Sequence, residues 1–308
     1  MKIVIRAGGV GTRLWPWSRS SRPKQFLPFF EDRSCVQVVY DRFVNSDLVN
    51  HQDVYLSINR DTYKLAKAQL PELRDENLIV EPATRDTAAA IGLETIWVAA
   101  NNPDETIASL GSDHYCGKPE NLLRALDRAD QFLAENPGYL MAIACKPTRV
   151  ETNYGHVKMG EKLWDEGDIP VHFAEEFTEK PNWPTAERYM ESGDYLWNSG
   201  IFLFRADRFL AELEAQAPAI LSACRAAFEQ RREDLDFLRV GHDAFSRGPS
   251  GSIDYAVMEY TRDAAVVPMS PGWSDIGAWD AVYDLKGNDA PDGNVLQGDV
   301  LLHGTRNS

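Results

Sequence analysis

No run of eighteen apolar residues occurs in this sequence, which excludes a transmembrane helix. The N-terminus enters Lys2-Ile3-Val4-Ile5 at once, too short an apolar stretch for a signal peptide and without a cleavage site. A cytoplasmic location is therefore expected. Cysteine is scarce: Cys35, Cys116, Cys145 and Cys224 are widely spaced and form no CxxC pair. That argues against a disulfide framework and against a zinc site, and makes them candidates for the core. Internal repeats and low-complexity tracts are absent, and so is any Ser- or Pro-rich linker between halves. Acidic residues are missing from the stretch between Met1 and Phe30, which holds six Lys or Arg, although the 308-residue chain carries a net charge of −15. The acidic total disfavours nonspecific binding to nucleic acid or anionic membranes. The basic segment is either a solvated face or a place for a substrate phosphate.

What is present is an alternation of strands and helices. Lys2–Ile5 reads as a buried strand that runs into Ala7-Gly8-Gly9. Further strands are expected at Asp53–Ile58, Leu78–Val80, Thr106–Leu110 and Leu140–Ala144. Helices are expected at Cys35–Val44, from a cap at Asp61 to about Leu70, at Thr87–Ala100 and at about Glu120–Ala134. This order predicts a three-layer α/β domain built on a mostly parallel, Rossmann-like sheet. Ligands of such sheets bind beyond the carboxyl ends of the strands, so the polar ends after Ile5 and Leu110 should share a site. After Val150 the pattern changes to short strands and loops, including Gly155–Met159 and Ile201–Phe204, and Ala206–Phe245 reads as helical. Residues 1–290 are taken as one domain, with a nucleotide-binding half at 1–150 and an acceptor half at 151–290.

Gly8-Gly9-Val10-Gly11-Thr12-Arg13 follows a strand, where successive amides can form an anion-binding nest. The loop lacks the GK[ST] of a Walker A motif, and Leu14 stands where a dinucleotide fingerprint has its last glycine. Its continuation is more specific: Arg13-Leu14-Trp15-Pro16, then Arg22-Pro23-Lys24-Gln25-Phe26. In order follow Glu81-Pro82-Ala83-Thr84-Arg85-Asp86-Thr87-Ala88, Ser112-Asp113-His114, Phe177-Thr178-Glu179-Lys180-Pro181 and Trp197-Asn198-Ser199-Gly200. Ser252-Ile253-Asp254-Tyr255-Ala256-Val257-Met258-Glu259 and Gly272-Trp273-Ser274-Asp275-Ile276-Gly277 complete the series.

These motifs, spread over essentially the whole chain, resemble those of the mannose-1-phosphate guanylyltransferase family, within the sugar nucleotidyltransferases. The resemblance implies conversion of GTP and mannose 1-phosphate to GDP-mannose and pyrophosphate, with Mg²⁺ bound by Asp113 and Asp275. Two carboxylates on converging loops suit such an ion, which favours hard oxygen ligands and substrate phosphates. Taken singly, each aspartate could equally be a turn residue or a helix cap. Nucleotidyl transfer requires a neutralised triphosphate and an in-line attack, so Arg13, Lys24 and Lys180 are the candidate catalytic cations. Arg13 and Lys24 would face the leaving pyrophosphate, and Lys180 the sugar phosphate. Ala7, Gly8, Gly9, Gly11, Thr12, Glu81, Arg85 and Asp86 are candidate nucleotide contacts. Gly155, Glu179 and Asn198 are candidate sugar contacts. Glu81 could accept both hydrogen bonds of guanine N1–H and its N2 amino group; alternatively it pairs with Arg85 and backbone groups read the base. His114 is expected beside the metal and not as a base, because the attacking phosphate oxygen is already anionic. Trp15, Trp17, Trp197 and Trp273 are expected mostly as packing beneath the loops.

Two positions depart from the family pattern. Arg6 stands where an apolar residue, typically Leu, precedes AGG, and its side chain must reach a phosphate or an acid. Asp86 occupies a place that is often Asn. The family often continues into a β-rich domain. Residues 291–308 resemble the start of such an element, cut short, which leaves quaternary structure, a homo-oligomer included, open. Two rivals remain: the same chemistry with another nucleoside triphosphate or hexose 1-phosphate, and a non-catalytic regulator that binds a nucleotide sugar.

Overall fold

The computed structural model describes residues 1–9, 11–29, 32–100, 102–234, 237–286, 292–296 and 299–307. In chain order the first half contains β1 (Lys2–Ala7), α1 (Cys35–Val44), β2 (Val54–Asn59), α2 (Tyr63–Gln69), β3 (Leu78–Glu81), α3 (Asp86–Val98), β4 (Thr106–Gly111), β5 (Tyr115–Cys116), α4 (Pro119–Glu135) and β6 (Leu140–Cys145). The second half adds β7 (Gly155–Trp164), β8 (Val171–Thr178), α5 (Trp183–Ser192), β9 (Tyr195–Arg205), α6 (Ala206–Gln216) and α7 (Pro218–Glu229). It continues with β10 (Arg232–Asp234), β11 (Phe237–Arg239), α8 (His242–Arg247), β12 (Ala264–Met269), β13 (Trp273–Ser274) and α9 (Trp279–Lys286).

Nine strands form one sheet in the order β3-β2-β1-β4-β9-β6-β12-β8-β7. The first four are mutually parallel, as the β/α alternation predicts. β9 then enters antiparallel between β4 and β6, and β8 also runs against its neighbours, so the sheet is mixed. One face carries α1, α2 and α4 over Ile3, Ile5, Leu56 and Leu110. The other carries α3, α6, α7 and α8 over Val4, Ile79, Ile107 and Phe204. The consecutive residues of β1 thus feed two cores, the signature of a strand covered on both faces. Each fully buried Leu, Ile or Phe contributes about 1.5–3 kcal/mol, so both layers hold the sheet edges that shape the site.

Local chemistry explains where the helices begin. Ser34 starts α1 with a reciprocal capping box: its hydroxyl accepts from the Gln37 amide at 3.4 Å, and the Gln37 carboxamide takes the Ser34 N–H at 3.0 Å. The cap expected at Asp61 is not used; a 3-10 turn covers Arg60–Thr62, and α2 starts after Thr62 without a side-chain cap. α3 buries every residue from Ala88 to Thr95, Glu94 among them. A side chain at Gly92 would meet Leu213 at 3.0 Å and Cys224 at 3.2 Å, so glycine lets α3 lie close against α6 and α7.

The stretch expected to be helical from Ala206 to Phe245 is interrupted by the β10–β11 hairpin. The charged run Arg231-Arg232-Glu233-Asp234 offers no apolar repeat that could continue α7 against the core. The strands after Val150 are longer than expected, ten residues in β7 and eleven in β9. All four cysteines are buried and free. The boundary expected at 290/291 and the Gln297-Gly298 part of the expected C-terminal β-element lie outside the described residues; 292–296 and 299–307 carry no strand. Among the described residues no helix is long and apolar enough to cross a membrane.

Candidate active site

A cleft of about 610 Å³ opens over the carboxyl ends of β1, β3 and β4 and the first half of β9. The side expected to take the nucleotide is lined by Gly8, Gly9, Glu81 and Asp86, the centre by Asp113 and Asp275, and the far side by Gly155, Glu179, Lys180 and Asn198. Residues expected to act on the two ends of the reaction therefore share one space.

The glycine loop after β1 is fastened from below. The Gln25 carboxamide donates to the carbonyls of Ala7 (2.6 Å) and Gly9 (2.8 Å), and Asn59 donates to that of Gly8. Ala7, Gly8 and Gly9 are thereby held from below; Val10 lies outside the described residues. Ala7 is buried beneath the loop. Gly11 has φ of 67°, and a Cβ there would lie 2.8 Å from Lys24 Cγ, so glycine is needed to let the lysine pass. Thr12 and Arg13 are exposed on the following turn, outside the cleft wall. Arg13 is near enough to Lys24 to oppose its charge.

Two loops meet at the centre because β5 and β13 pair. Tyr115 and Cys116 lie opposite Ser274 and Trp273, which brings the turn holding Asp275 onto the loop holding Asp113. Lys24 closes the junction: its ammonium lies 2.6 Å from Asp113 Oδ2 and donates to the Asp275 carbonyl at 3.2 Å. Burial alone would lower the Lys24 pKa, but Asp113 and then Asp275 raise it above the usual value. Burial would likewise raise Asp113, and Lys24 foremost outweighs it, so the carboxyl is held below its ordinary range. Asp275 is oriented by the Gly277 amide (2.9 Å) and the Tyr154 hydroxyl (3.1 Å), both donating to Oδ1. His114 is pushed down to about 4, chiefly by burial, so it is neutral at pH 7. Among the described residues no three His, Cys, Asp or Glu gather tightly enough to hold a metal by themselves. A divalent ion at Asp113 and Asp275 would complete its shell with phosphate oxygens and water, in keeping with a hard cation. The Lys24 ammonium, seated between the two loops, marks the spot as one that attracts positive charge.

On the far side Lys180 has φ of 48°, a strained value for a non-glycine residue, and its ammonium pairs with Glu179. Asn198 donates to Asp254 Oδ1 at 2.6 Å. Burial, and after it Glu179, pushes Asp254 up to about 6. At Gly155 a Cβ would collide with Glu179 Oε2 at 2.6 Å, so glycine there lets the carboxylate reach the cleft.

Arg85 points away: its guanidinium donates to the Ser246 carbonyl instead of pairing with Glu81. Glu81 is buried, accepts from Ser57 at 3.1 Å and lies under Gly8. Asp86 is exposed on the cleft rim with φ of 65°. Of the four tryptophans, Trp17 packs on Phe29, Trp197 on Tyr154 and Trp273 on both Tyr154 and His114; Trp15 is instead exposed. Sequence reasoning passed over Gln25, Tyr154 and Asp254. Gln25 and Asp254 lie inside motifs already singled out, and for Asp254 a lone acid between Ile253 and Tyr255-Ala256-Val257 was the signal available.

A glycine loop at a strand end, two aspartates on joined loops and a polar far wall make up one cleft of an α/β protein. The chain belongs to the nucleotidyl transferase family, whose model matches residues 2–291. It is 40% identical over 308 residues to a mannose-1-phosphate guanylyltransferase of Salmonella montevideo, covering 99% of this chain and 64% of the relative. The mannose-1-phosphate guanylyltransferase of Escherichia coli K12 is 41% identical, with 99% of this chain and 63% of the relative covered. The chain thus spans slightly less than two thirds of the length of these curated relatives. A solved structure from Thermus thermophilus, described as a mannose-1-phosphate geranyltransferase, superposes with a TM-score of 0.81 at 32% identity, covering 97% of this chain and 82% of the other.

Proposed function

We propose that this chain transfers the guanylyl group of GTP to mannose 1-phosphate, giving GDP-mannose and pyrophosphate. The observation that supports the reading is one cleft lined by Asp113 and Asp275 together with Lys180, Glu179 and Asn198, with Lys24, itself not part of the lining, bonded to Asp113. A phosphate oxygen of the sugar phosphate attacks the α-phosphorus; the bond to the α–β bridging oxygen breaks, and its electron pair leaves with pyrophosphate. No proton need be removed from the nucleophile, which agrees with a neutral, enclosed His114. Asp113 and Asp275 would hold Mg²⁺, which supplies charge neutralisation for the triphosphate when bound. The loop amides near Gly8 and Gly9 receive phosphate oxygens. Lys24 moves from Asp113 to the departing pyrophosphate, Arg13 reaches in from the rim, and Lys180 receives the sugar phosphate. Each of these is worth most in the transition state, where charge shifts onto the leaving group.

A panel crossing four nucleoside triphosphates with several sugar 1-phosphates, read as pyrophosphate release, tests this. GTP with mannose 1-phosphate is expected to give the highest kcat/KM. A different best pair would reassign the substrates, and no release with any pair would leave only a binding protein.

Lys180→Ala tests the acceptor side. Loss of one charge-assisted contact is expected to raise KM for mannose 1-phosphate about ten-fold or more and leave KM for GTP near its original value. A rise confined to GTP would move Lys180 to the nucleotide.

A further inference from the structure

We propose that Arg6 is a positioning residue that fixes the acceptor end of the cleft from within the nucleotide half of the sheet. The inference rests on the functional reading above for the word acceptor, and on geometry for the rest.

Arg6 lies on β1 and faces the α3 layer together with Val4. Its Nη1 donates to Ser109 Oγ at 2.5 Å, and its Nη2 donates to the Gly200 carbonyl at 2.7 Å. Ser109 donates its own proton in a hydrogen bond to Glu94 Oε2 at 2.7 Å, so the hydroxyl accepts from the cation and donates to the carboxyl. Burial lowers the Arg6 pKa, and Glu94 leads the carboxylates that counter it. Glu94 in turn is raised by burial and drawn back first by Arg6. The fully buried Glu94 of α3 thus meets a cation, through Ser109, in the one β1 residue that departs from the family pattern.

Gly200 sits where β9 slips its register against β6: Ile143 faces Ile201, yet Ala144 faces Asn198. The two intervening residues form a bulge, and φ of 68° at Gly200 makes the bend. The Gly200 amide donates to Asn198 Oδ1 at 3.0 Å, which orients the carboxamide so that its NH₂ meets Asp254 at 2.6 Å. Arg6 therefore grips the bulge, the bulge sets Asn198, and Asn198 sets Asp254. Leu at position 6 would reach neither the Gly200 carbonyl nor Glu94. Substituting it alone leaves the buried Glu94 carboxyl without the cation that faces it through Ser109, so the informative variant replaces both residues.

Arg6→Leu/Glu94→Leu and Arg6→Lys are compared with the parent chain. Arg6→Lys keeps a charge opposite Glu94, but an ammonium lacks the planar fork that spans Ser109 and Gly200. Both variants are expected to fold, with KM for mannose 1-phosphate raised about ten-fold and KM for GTP, which feels Arg6 and Glu94 only through the charge on Glu81, changed much less. In the substrate-free protein the Asn198 side-chain amide signals, assigned by their loss in Asn198→Asp, should shift in both variants. If KM for GTP rises while that for the sugar phosphate stays, or if the Asn198 signals do not move, Arg6 does not position the acceptor end. Failure of the parent chain to use mannose 1-phosphate would sink the functional reading instead, and the Asn198 signals would still decide the role of Arg6.

Discussion

Asp113→Asn and Asp275→Asn should each lower kcat by about 10²–10³-fold, the cost of removing one fixed electrostatic partner from a transition state. The fold should survive both changes. Asp113 follows β4 on a loop, and the amide that replaces its carboxylate still fits the space beside Lys24. The β5–β13 pairing that joins the two loops uses backbone groups and stays in place. What is lost is the negative charge that Lys24 answers in the substrate-free protein and that Mg²⁺ would answer with GTP bound. Mn²⁺ binding in the presence of GTP gives a readout apart from turnover, and it should weaken in both variants. Near-normal Mg²⁺-dependent turnover in either, with circular dichroism unchanged, would remove that residue from the metal site.

Much of this site could be read before the fold was seen, because it hangs on local signals. Gly8 and Gly9 follow an apolar strand, Asp113 follows another, and in a parallel α/β sheet both strand ends must fall on the same edge. The structure puts them there through direct pairing of β1 with β4. Asp275 lay farther from any local rule. Its approach to Asp113 depends on the two-residue ladder between β5 and β13, too short to leave a periodic trace. The entry of β9 between β4 and β6 was also hidden, since an apolar run such as Ile201–Phe204 does not reveal its direction. Arg6 shows the limit most clearly. Its presence in a buried strand was visible as an anomaly, and a reach toward a phosphate or an acid was expected. Its partners are 103 and 194 residues away, at Ser109 and Gly200. Only the tertiary fold could supply them.

The base preference should depend on pH, because of Glu81. This carboxyl closes β3 at the cleft and is only 5% exposed. Burial foremost, and then the nearby Glu94, pushes it up to about 8, against opposing pulls from Ser57 and Arg6. At pH 7 the substrate-free protein therefore holds it mostly as the neutral acid. Guanine offers N1–H and an N2 amino group, both donors, and needs the ionised form to accept them. Adenine offers an acceptor at N1, which the neutral acid could satisfy by donating. Binding of GTP to Glu81 must then release a proton below pH 8, whereas binding of ATP need not. The ratio of kcat/KM for GTP over ATP is expected to rise up to about ten-fold per pH unit through pH 8, first because the form that suits guanine is gained and then because the acid that suits adenine is lost. Ionisation of the triphosphate itself is common to both nucleotides and cancels in the ratio. Glu81→Gln should flatten the profile and, at pH 8, lower the ratio by roughly 10–100-fold, the worth of one hydrogen bond to a charged group. Stability gives a second reading with a definite sign. A carboxyl whose folded pKa is raised contributes fully below its ordinary value and loses that contribution as pH rises through its folded value. Between about pH 4.3 and pH 8 the parent chain should therefore lose Tm relative to Glu81→Gln. If the stability difference appears but the GTP-to-ATP ratio is flat with pH and unchanged in the variant, Glu81 is a buried acid beneath Gly8, and backbone groups read the base.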